Sequence, residues 1–309
     1  MNARMRVHSA ALNAGVVKPW LRWSSVPSPR PCARTMLLCA AALVLSACGR
    51  PPQQNSAEHA GPQGKLAITG SSTVAPLVAE IGKRFESQHP GVRIDVQTGG
   101  SSRGVADARS GLADIGMVSR ALRPDEADLH GVAIARDGIA VILHATNPVT
   151  ALSDAQVAAI YTGRITHWRE LGGSDAPITV VNKAEGRSTL ELFLHYFKLA
   201  SPAVKAHVVI GDNEQGIKTV AGNPDAIGYV SVGAAEYSAT QRVPIKLLPM
   251  NGVEASIAAV KDGSFPLSRP LTLITRTEPA GLAKAFIDYA RSPAVHDLVG
   301  RLYFVPLEP

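Results

Sequence analysis

From Lys65 onward the apolar positions recur with two periods that alternate along the chain. Lys65 to Ile68 reads as a short strand, after which Leu77, Ile81 and Phe85 return at every fourth residue as one face of a helix. Val92, Ile94 and Val96 alternate as a second strand, and Val105, Ala108 and Leu112 mark the helix that follows. A third unit pairs the strand Ile178 to Val181 with a helix carrying Leu190, Phe193, Leu194 and Phe197. Further strands are predicted at 115–118, 132–135, 139–144, 227–231, 245–248 and 271–275. Further helices are predicted to start at Ser153, Asn213, Val253, Pro279 and Ser292, and Gln156 completes a capping box with Ser153. Strands and helices alternating at such short intervals predict an α/β fold with largely parallel sheets. No internal repeat of fixed period is present.

The turns inside the three strand-helix units share one composition. Thr69-Gly70-Ser71-Ser72-Thr73-Val74-Ala75-Pro76, Thr98-Gly99-Gly100-Ser101-Ser102-Arg103-Gly104 and Asn182-Lys183-Ala184-Glu185-Gly186-Arg187-Ser188-Thr189 are all rich in glycine and hydroxyls. Pro76 suits the first turn of a helix, where a missing N–H costs nothing, and Ser72 or Thr73 suits its N-cap. One such turn is compatible with an ordinary capped helix. Three of them offer unpaired N–H groups, hydroxyls and the cations Lys183 and Arg187, which is the donor-rich environment a small dehydrated oxyanion needs.

Residues 1–47 stand apart. They hold six Lys or Arg (Arg4, Arg6, Lys18, Arg22, Arg30, Arg34) and no acid, then an apolar run from Met36 to Ala47 that is short for a membrane span and suits a secretory leader. Leu45-Ser46-Ala47-Cys48 resembles the bacterial lipobox, so Cys48 is the expected lipidation site and the lipid the only membrane attachment. The formal charge of the whole chain is +6, all of it contributed by the leader, so nothing in the remainder points to nucleic acid. Cys32, Cys39 and Cys48 are the only cysteines, and the folded part has no thiol chemistry. The stretch 48–64 reads as a flexible tether, poor in residues that could be buried.

The motifs at 69–76 and 99–104, together with Ala-Asp-Ile-Gly-Met-Val-Ser-Arg at 113–120, Asp-Gly-Ile-Ala-Val-Ile at 137–142, Tyr-Thr-Gly-Arg-Ile-Thr-His-Trp at 161–168 and Ala-Ile-Gly-Tyr-Val at 226–230, resemble the phosphate-binding substrate proteins of bacterial ABC transporters. The resemblance covers most of 65–232 and weakens from 243 onward. It implies a two-lobed periplasmic-binding-protein fold of type II, with a ligand cleft and two chain crossovers. Lobe one would be 65–145 plus the return 235–309, and lobe two 146–234. The implied partners are inorganic phosphate and a transporter permease, in the cell envelope facing the periplasm or exterior. Carried over residue by residue, Thr73 and the N–H of Val74 would meet the anion from the first turn, Ser101 from the second, and Ser188 and Thr189 from the third. Ser72, Ser102, Ser119, Arg120, Lys183 and Arg187 complete the candidate set.

Two departures from the family pattern matter. Lys183 stands where the family usually has arginine, and Arg187 is an added cation within the usual Gly-Ser-Gly-Thr turn. Arg120 follows Ser119 where some members place an aspartate, which leaves discrimination between phosphate and sulfate open. A sensor or scavenger of a tetrahedral oxyanion on the same fold is the alternative to uptake. A serine hydrolase is a remote one, because Gly100 to Gly104 satisfies G-x-S-x-G while His195, His207 and His296 lie in no recognisable context. Ser101 is therefore expected to donate a hydrogen bond and not to act as a nucleophile. Asp114 and Arg120 each also read as members of structural ion pairs, and Tyr161 and Trp168 as core or hinge residues. The nine histidines are scattered without metal-ligand spacing, so neither metal nor cofactor is predicted.

Overall fold

A computed structural model describes residues 61–307, so the leader, Cys48 and nearly all of the tether lie outside the described residues. In chain order the elements are β1 (Gly64–Gly70), α1 (Ala75–Gln88), β2 (Val92–Thr98), α2 (Ser101–Ser110), β3 (Ile115–Val118), β4 (His130–His144), α3 (Asp154–Tyr161), β5 (Thr179–Lys183), α4 (Ser188–Tyr196), β6 (Val208–Ile210), α5 (Asn213–Ala221), β7 (Ala226–Ser231), α6 (Val232–Thr240), β8 (Ile245–Leu247), α7 (Ile257–Asp262), β9 (Ser268–Thr275), α8 (Gly281–Arg291), α9 (His296–Arg301) and β10 (Val305–Pro306).

β4 organises the molecule. Its first half pairs antiparallel with β9, from His130 opposite Thr275 to Gly138 opposite Ser268, and its second half with β7 and β8. The two strands expected at 132–135 and 139–144 are thus one, because Asp137 and Gly138 between them continue the ladder. Asp137 is fully buried and paired with Arg269, so an acid that looks like a strand break stays inside the sheet. The first lobe carries β2-β1-β3-β9-β4, edged by β10, and the second β4-β7-β5-β6 with β8 on the other side of β4. β1 runs parallel to β2 and β3, and β5 to β6 and β7, whereas β9 is antiparallel to β3 and β4, and β7 and β8 are antiparallel to β4; the sheets are mixed rather than largely parallel.

Apolar layers cover both faces of each sheet. Ile68, Leu77, Ile81, Phe85 and Phe286 fill one side of the first lobe, while Val105, Val118 and Ile274 fill the other. That arrangement explains why β3 is buried at all four positions. In the second lobe Tyr161, Trp168, Phe193 and Tyr229 make an aromatic core, with Phe193 and Tyr229 stacked at 3.8 Å between ring centroids. Trp168 and Tyr161 are core residues, as expected, and their polar tips donate to the carbonyls of Asp225 and Val181.

Some local expectations shift. The segment from 235 to 267, read as part of the return to lobe one, packs on the second lobe: β8 pairs β4 beyond the crossover, and Leu248, Met250, Val260 and Phe265 join the core of Trp168 and Tyr229. The second crossover is therefore at the start of β9. α2 stops at Ser110, with Gly111 in a left-handed conformation, and Leu112 is exposed instead of facing the core. α7 begins at Ile257, capped by Ser256, because Met250 and Val253 first close a tight bridge. β6 and α6 were not legible in the apolar pattern; β6 has three residues and α6 is apolar nearly all round.

Candidate functional site

Three helices start at the seam between the lobes: α1 and α2 from the first, α4 from the second. None has a side-chain cap on its N-cap residue, which is Val74, Gly100 and Arg187 respectively. For α1 the reason is that Ser71 takes the capping work, accepting Thr73 N–H on its hydroxyl at 3.2 Å and Ala75 N–H on its carbonyl at 3.0 Å. Ser72 and Thr73, expected as caps, are left with their hydroxyls toward the cleft. Gly100 has a φ of 95°, and a Cβ there would lie 2.7 Å from the Gly186 carbonyl of the other lobe, so only glycine lets the turns approach this closely.

The turns line a small cleft of about 10 Å³. Of the predicted residues, Ser72, Thr73, Ser101, Ser119, Arg187, Ser188 and Thr189 line it, joined by Ser71 and Gly100. All the lining hydroxyls except Ser72 are at least nine-tenths buried. Ser188 Oγ is buried with no hydrogen-bond partner, the kind of group a ligand satisfies. Arg187 reaches across from α4 to Ser72 Oγ at 3.5 Å and packs on Gly100, so it faces the cleft and makes no pair with Glu191.

Four predicted residues are placed elsewhere. Val74 is fully buried in the first-lobe core and does not line the space. Ser102 spans the lobes, its N–H donating to the Gly186 carbonyl at 3.1 Å and its hydroxyl to Glu191 at 3.4 Å. Arg120 is turned away from the cavity: it forks onto Glu126 at 2.6 and 2.8 Å and donates Nε to Glu191 Oε2 at 2.9 Å. Burial opposes the charge on Glu126, but the Arg120 hydrogen bonds, the Arg123 N–H and the two guanidinium charges together outweigh it and hold that carboxyl below its ordinary range. Arg120 is thus an ion-pair residue, the structural alternative, although Asp114 is not its partner; Asp114 accepts the Ala67 N–H. Lys183 lies one layer behind the cavity, giving Nζ to Asn213 Oδ1 at 3.0 Å. Burial, aided by the nearby Arg269 charge, pushes its amino group down to about 7.

The most consequential residue missed in the sequence is Arg269 on β9. Almost wholly buried, it pairs with Asp137 Oδ2 at 2.8 Å and sends Nη1 to Ser119 Oγ at 3.2 Å and across the seam to Thr189 Oγ1 at 2.8 Å. Its only signal was a charged residue on the same alternating strand face as Leu267, Leu271 and Leu273, which demands a buried partner. Asn213, first residue of α5, was also missed; it joins Lys183 to Thr73, donating to the Thr73 hydroxyl at 3.3 Å. The G-x-S-x-G stretch is bound into these contacts: Ser101 Oγ accepts the Ser119 N–H and Ser102 is tied to Glu191, and among the described residues no histidine bonds either serine.

A larger groove of about 720 Å³ abuts the site and shares Ser72 and Thr73 with it. Its walls are mainly apolar, with Asp212 and Glu214 against the single guanidinium of Arg301, so the cluster of donors suited to an anion is in the smaller space.

Two sheets threaded by one through-strand and closed on a donor-lined cavity at three helix starts define a two-lobed solute-binding protein. The sequence profile of the PBP superfamily domain matches residues 55–294. The chain is 31% identical over 269 residues to the phosphate-binding protein PstS of Bacillus subtilis, covering 83% of this chain and 87% of that protein. The crystal structure of a putative phosphate ABC transporter substrate-binding protein with bound phosphate from Clostridium perfringens superposes with a TM-score of 0.73 at 33% identity, over 79% of this chain and 100% of that one. An ABC-type phosphate transport receptor from Vibrio cholerae gives 0.66 at 29%, over 78% and 100%. The chain belongs to the PBP superfamily and, within it, to the PstS-type phosphate-binding proteins.

Proposed function

We propose that this protein is the extracytoplasmic component that captures inorganic phosphate and delivers it to the permease of an ABC importer. It is a binding protein and not an enzyme. The observation that carries the reading is the convergence of three uncapped helix starts, seven hydroxyls and Arg187 on one small space at the seam of two lobes. Each helix start contributes partial positive charge and free N–H groups, and Arg187 and Arg269 add full charge that burial leaves weakly screened. The two lobes meet through donors from both sides, so an anion between them would tie the cleft shut. The site residues are Ser72, Thr73, Ser101, Ser119, Arg187, Ser188 and Thr189, with Arg269, Lys183 and Asn213 behind them.

Titration calorimetry of the purified protein with phosphate tests this: saturable binding of one phosphate per chain is expected, and no heat at millimolar phosphate overturns it. The leader 1–47, the lipid on Cys48 and the tether 48–64 form the second part of the proposal. They are supported by the charge, h-region and lipobox of the sequence. Cys48→Ser is expected to leave phosphate binding intact and release the protein from membranes on fractionation. A variant that remains in the membrane pellet favours a proteinaceous anchor.

A further inference from the structure

Asn213 opens α5 in the second lobe, and its side-chain amide is held from two directions. Oδ1 accepts from Lys183 Nζ at 3.0 Å and from the Ser231 N–H at 3.4 Å. A backbone N–H can only donate, so the Ser231 contact settles which end of the amide is the oxygen. The NH2 end is left to face the first lobe, where Nδ2 donates to Thr73 Oγ1 at 3.3 Å. Asn213 and Thr73 are both more than nine-tenths buried.

Among the described residues three side chains carry a donor across the seam to a hydroxyl of the cleft wall: Arg187 to Ser72, Arg269 to Thr189, and Asn213 to Thr73. Two of them are guanidiniums, which have no acceptor end to present. Asn213 is neutral and has both ends, so what it does for the cleft depends on which one meets Thr73. Reversed, its oxygen would take the Thr73 hydrogen. Held as it is, it donates, and a hydroxyl that receives a donor on one side turns its own hydrogen to another. The cleft is a side that Thr73 lines. The Lys183 bond polarises the amide and strengthens the Nδ2 donor in turn. Thr73 and Asn213 also line the larger groove, so their bond stands where groove and cleft meet.

Resting on the phosphate reading above, we infer that Asn213 is a positioning residue for anion capture: oriented by Lys183 and Ser231, its amide fixes the Thr73 hydroxyl as a donor to the cleft and ties the two lobes together beside it. Asn213 itself does not line the cleft. Its effect on the anion passes through Thr73.

A double-mutant cycle read by phosphate calorimetry at about pH 8 tests this. Asn213→Ala is expected to weaken phosphate about three- to tenfold, and to cost less than about twofold further in a Thr73→Val background, where the hydroxyl it positions is gone. The same factor in both backgrounds, or no loss in Asn213→Ala, assigns Asn213 a purely structural role; it overturns the inference and leaves the phosphate reading standing. No binding by the wild-type protein overturns both. Should one of these variants not fold, or bind too weakly to titrate, Asn213→Asp decides alone. The aspartate keeps an acceptor for Lys183 and Ser231 but meets Thr73 with an oxygen. The Lys183 amine, pushed down to about 7 by burial, is held protonated by the new carboxylate, so the pair adds no net charge at this pH. That variant is expected to weaken phosphate at least about tenfold without lowering the urea midpoint, and wild-type affinity in it overturns the inference.

Discussion

Two clusters of polar groups join the lobes beside the cavity, and they differ in how their donors and acceptors balance. At the outer one, Arg120, Arg123, Glu126 and Glu191 match guanidinium against carboxylate, and Arg120 also donates to the Ala121 carbonyl at 3.0 Å. That set is complete within the protein. At the inner one, hydroxyls accept N–H groups from Arg269, Asn213 and Arg187 and are left with hydrogens to give. A polar cluster that balances itself holds a structure together; one with surplus donors in an enclosed space is a place for an acceptor. The same contrast separates Arg120, which follows a lining serine but is held in ion pairs off the cavity wall, from Arg187, which lines it.

The largest break in this comparison comes from the buried anchor of the inner cluster. Arg269→Met leaves Asp137 fully buried without its counter-charge, and is expected to lower the unfolding free energy by about 3–5 kcal/mol in urea titrations. A loss below about 1 kcal/mol would show that Asp137 finds another partner. A smaller effect, on binding alone, is expected of Arg187→Ala: about 1.5–3 kcal/mol of anion affinity, roughly ten- to a hundredfold, with both lobes folded. Arg187→Lys should recover only part of it, because an ammonium lacks the planar fork. Lys183→Ala should lose less than Arg187→Ala, since Lys183 acts through Asn213. Unchanged affinity in Arg187→Ala with collapse in Lys183→Ala would place the working cation at 183.

Lys183 also gives the inner cluster a pH dependence that the outer one lacks. Its amino group drops from 10.5 to about 7 on folding, because burial disfavours the charged form. Between those values the unfolded chain holds a proton that the folded protein has released, so stability rises as pH rises through this window. The slope is at most about 1.4 kcal/mol per pH unit. Lys183→Met should flatten the increase in urea midpoint between about pH 7 and pH 9; an undiminished slope would assign it to another group. The smallest effect is expected at the outer cluster. Glu191 is partly exposed, so Glu191→Gln should weaken anion binding by about 0.5–1 kcal/mol, seen as faster release at low salt and vanishing at high salt. Identical release rates in the variant and the wild type at low salt would show that the pair contributes nothing to closure.

What lies within a few residues along the chain was legible from the sequence. The capping box of Ser153 and Gln156 forms with bonds of 3.2 and 2.8 Å, and the three hydroxyl turns stand between the strands and helices that their apolar periods predict. Those features rest on local geometry: a helix start needs caps and donors wherever it is packed. The partnerships that separate a ligand residue from a structural one were decided only by the tertiary structure. Arg269 meets Asp137 across 132 residues and Arg120 meets Glu191 across 71, and nothing near any of these side chains in the sequence names its partner. The unexpected continuity of β4 and the placement of β8 in the second lobe have the same origin, because strand pairing joins distant segments and is chosen by the core they jointly bury. Local residue types could say that donors gather at three turns; only the closed fold determined which hydroxyl hydrogens remain free to point at one spot.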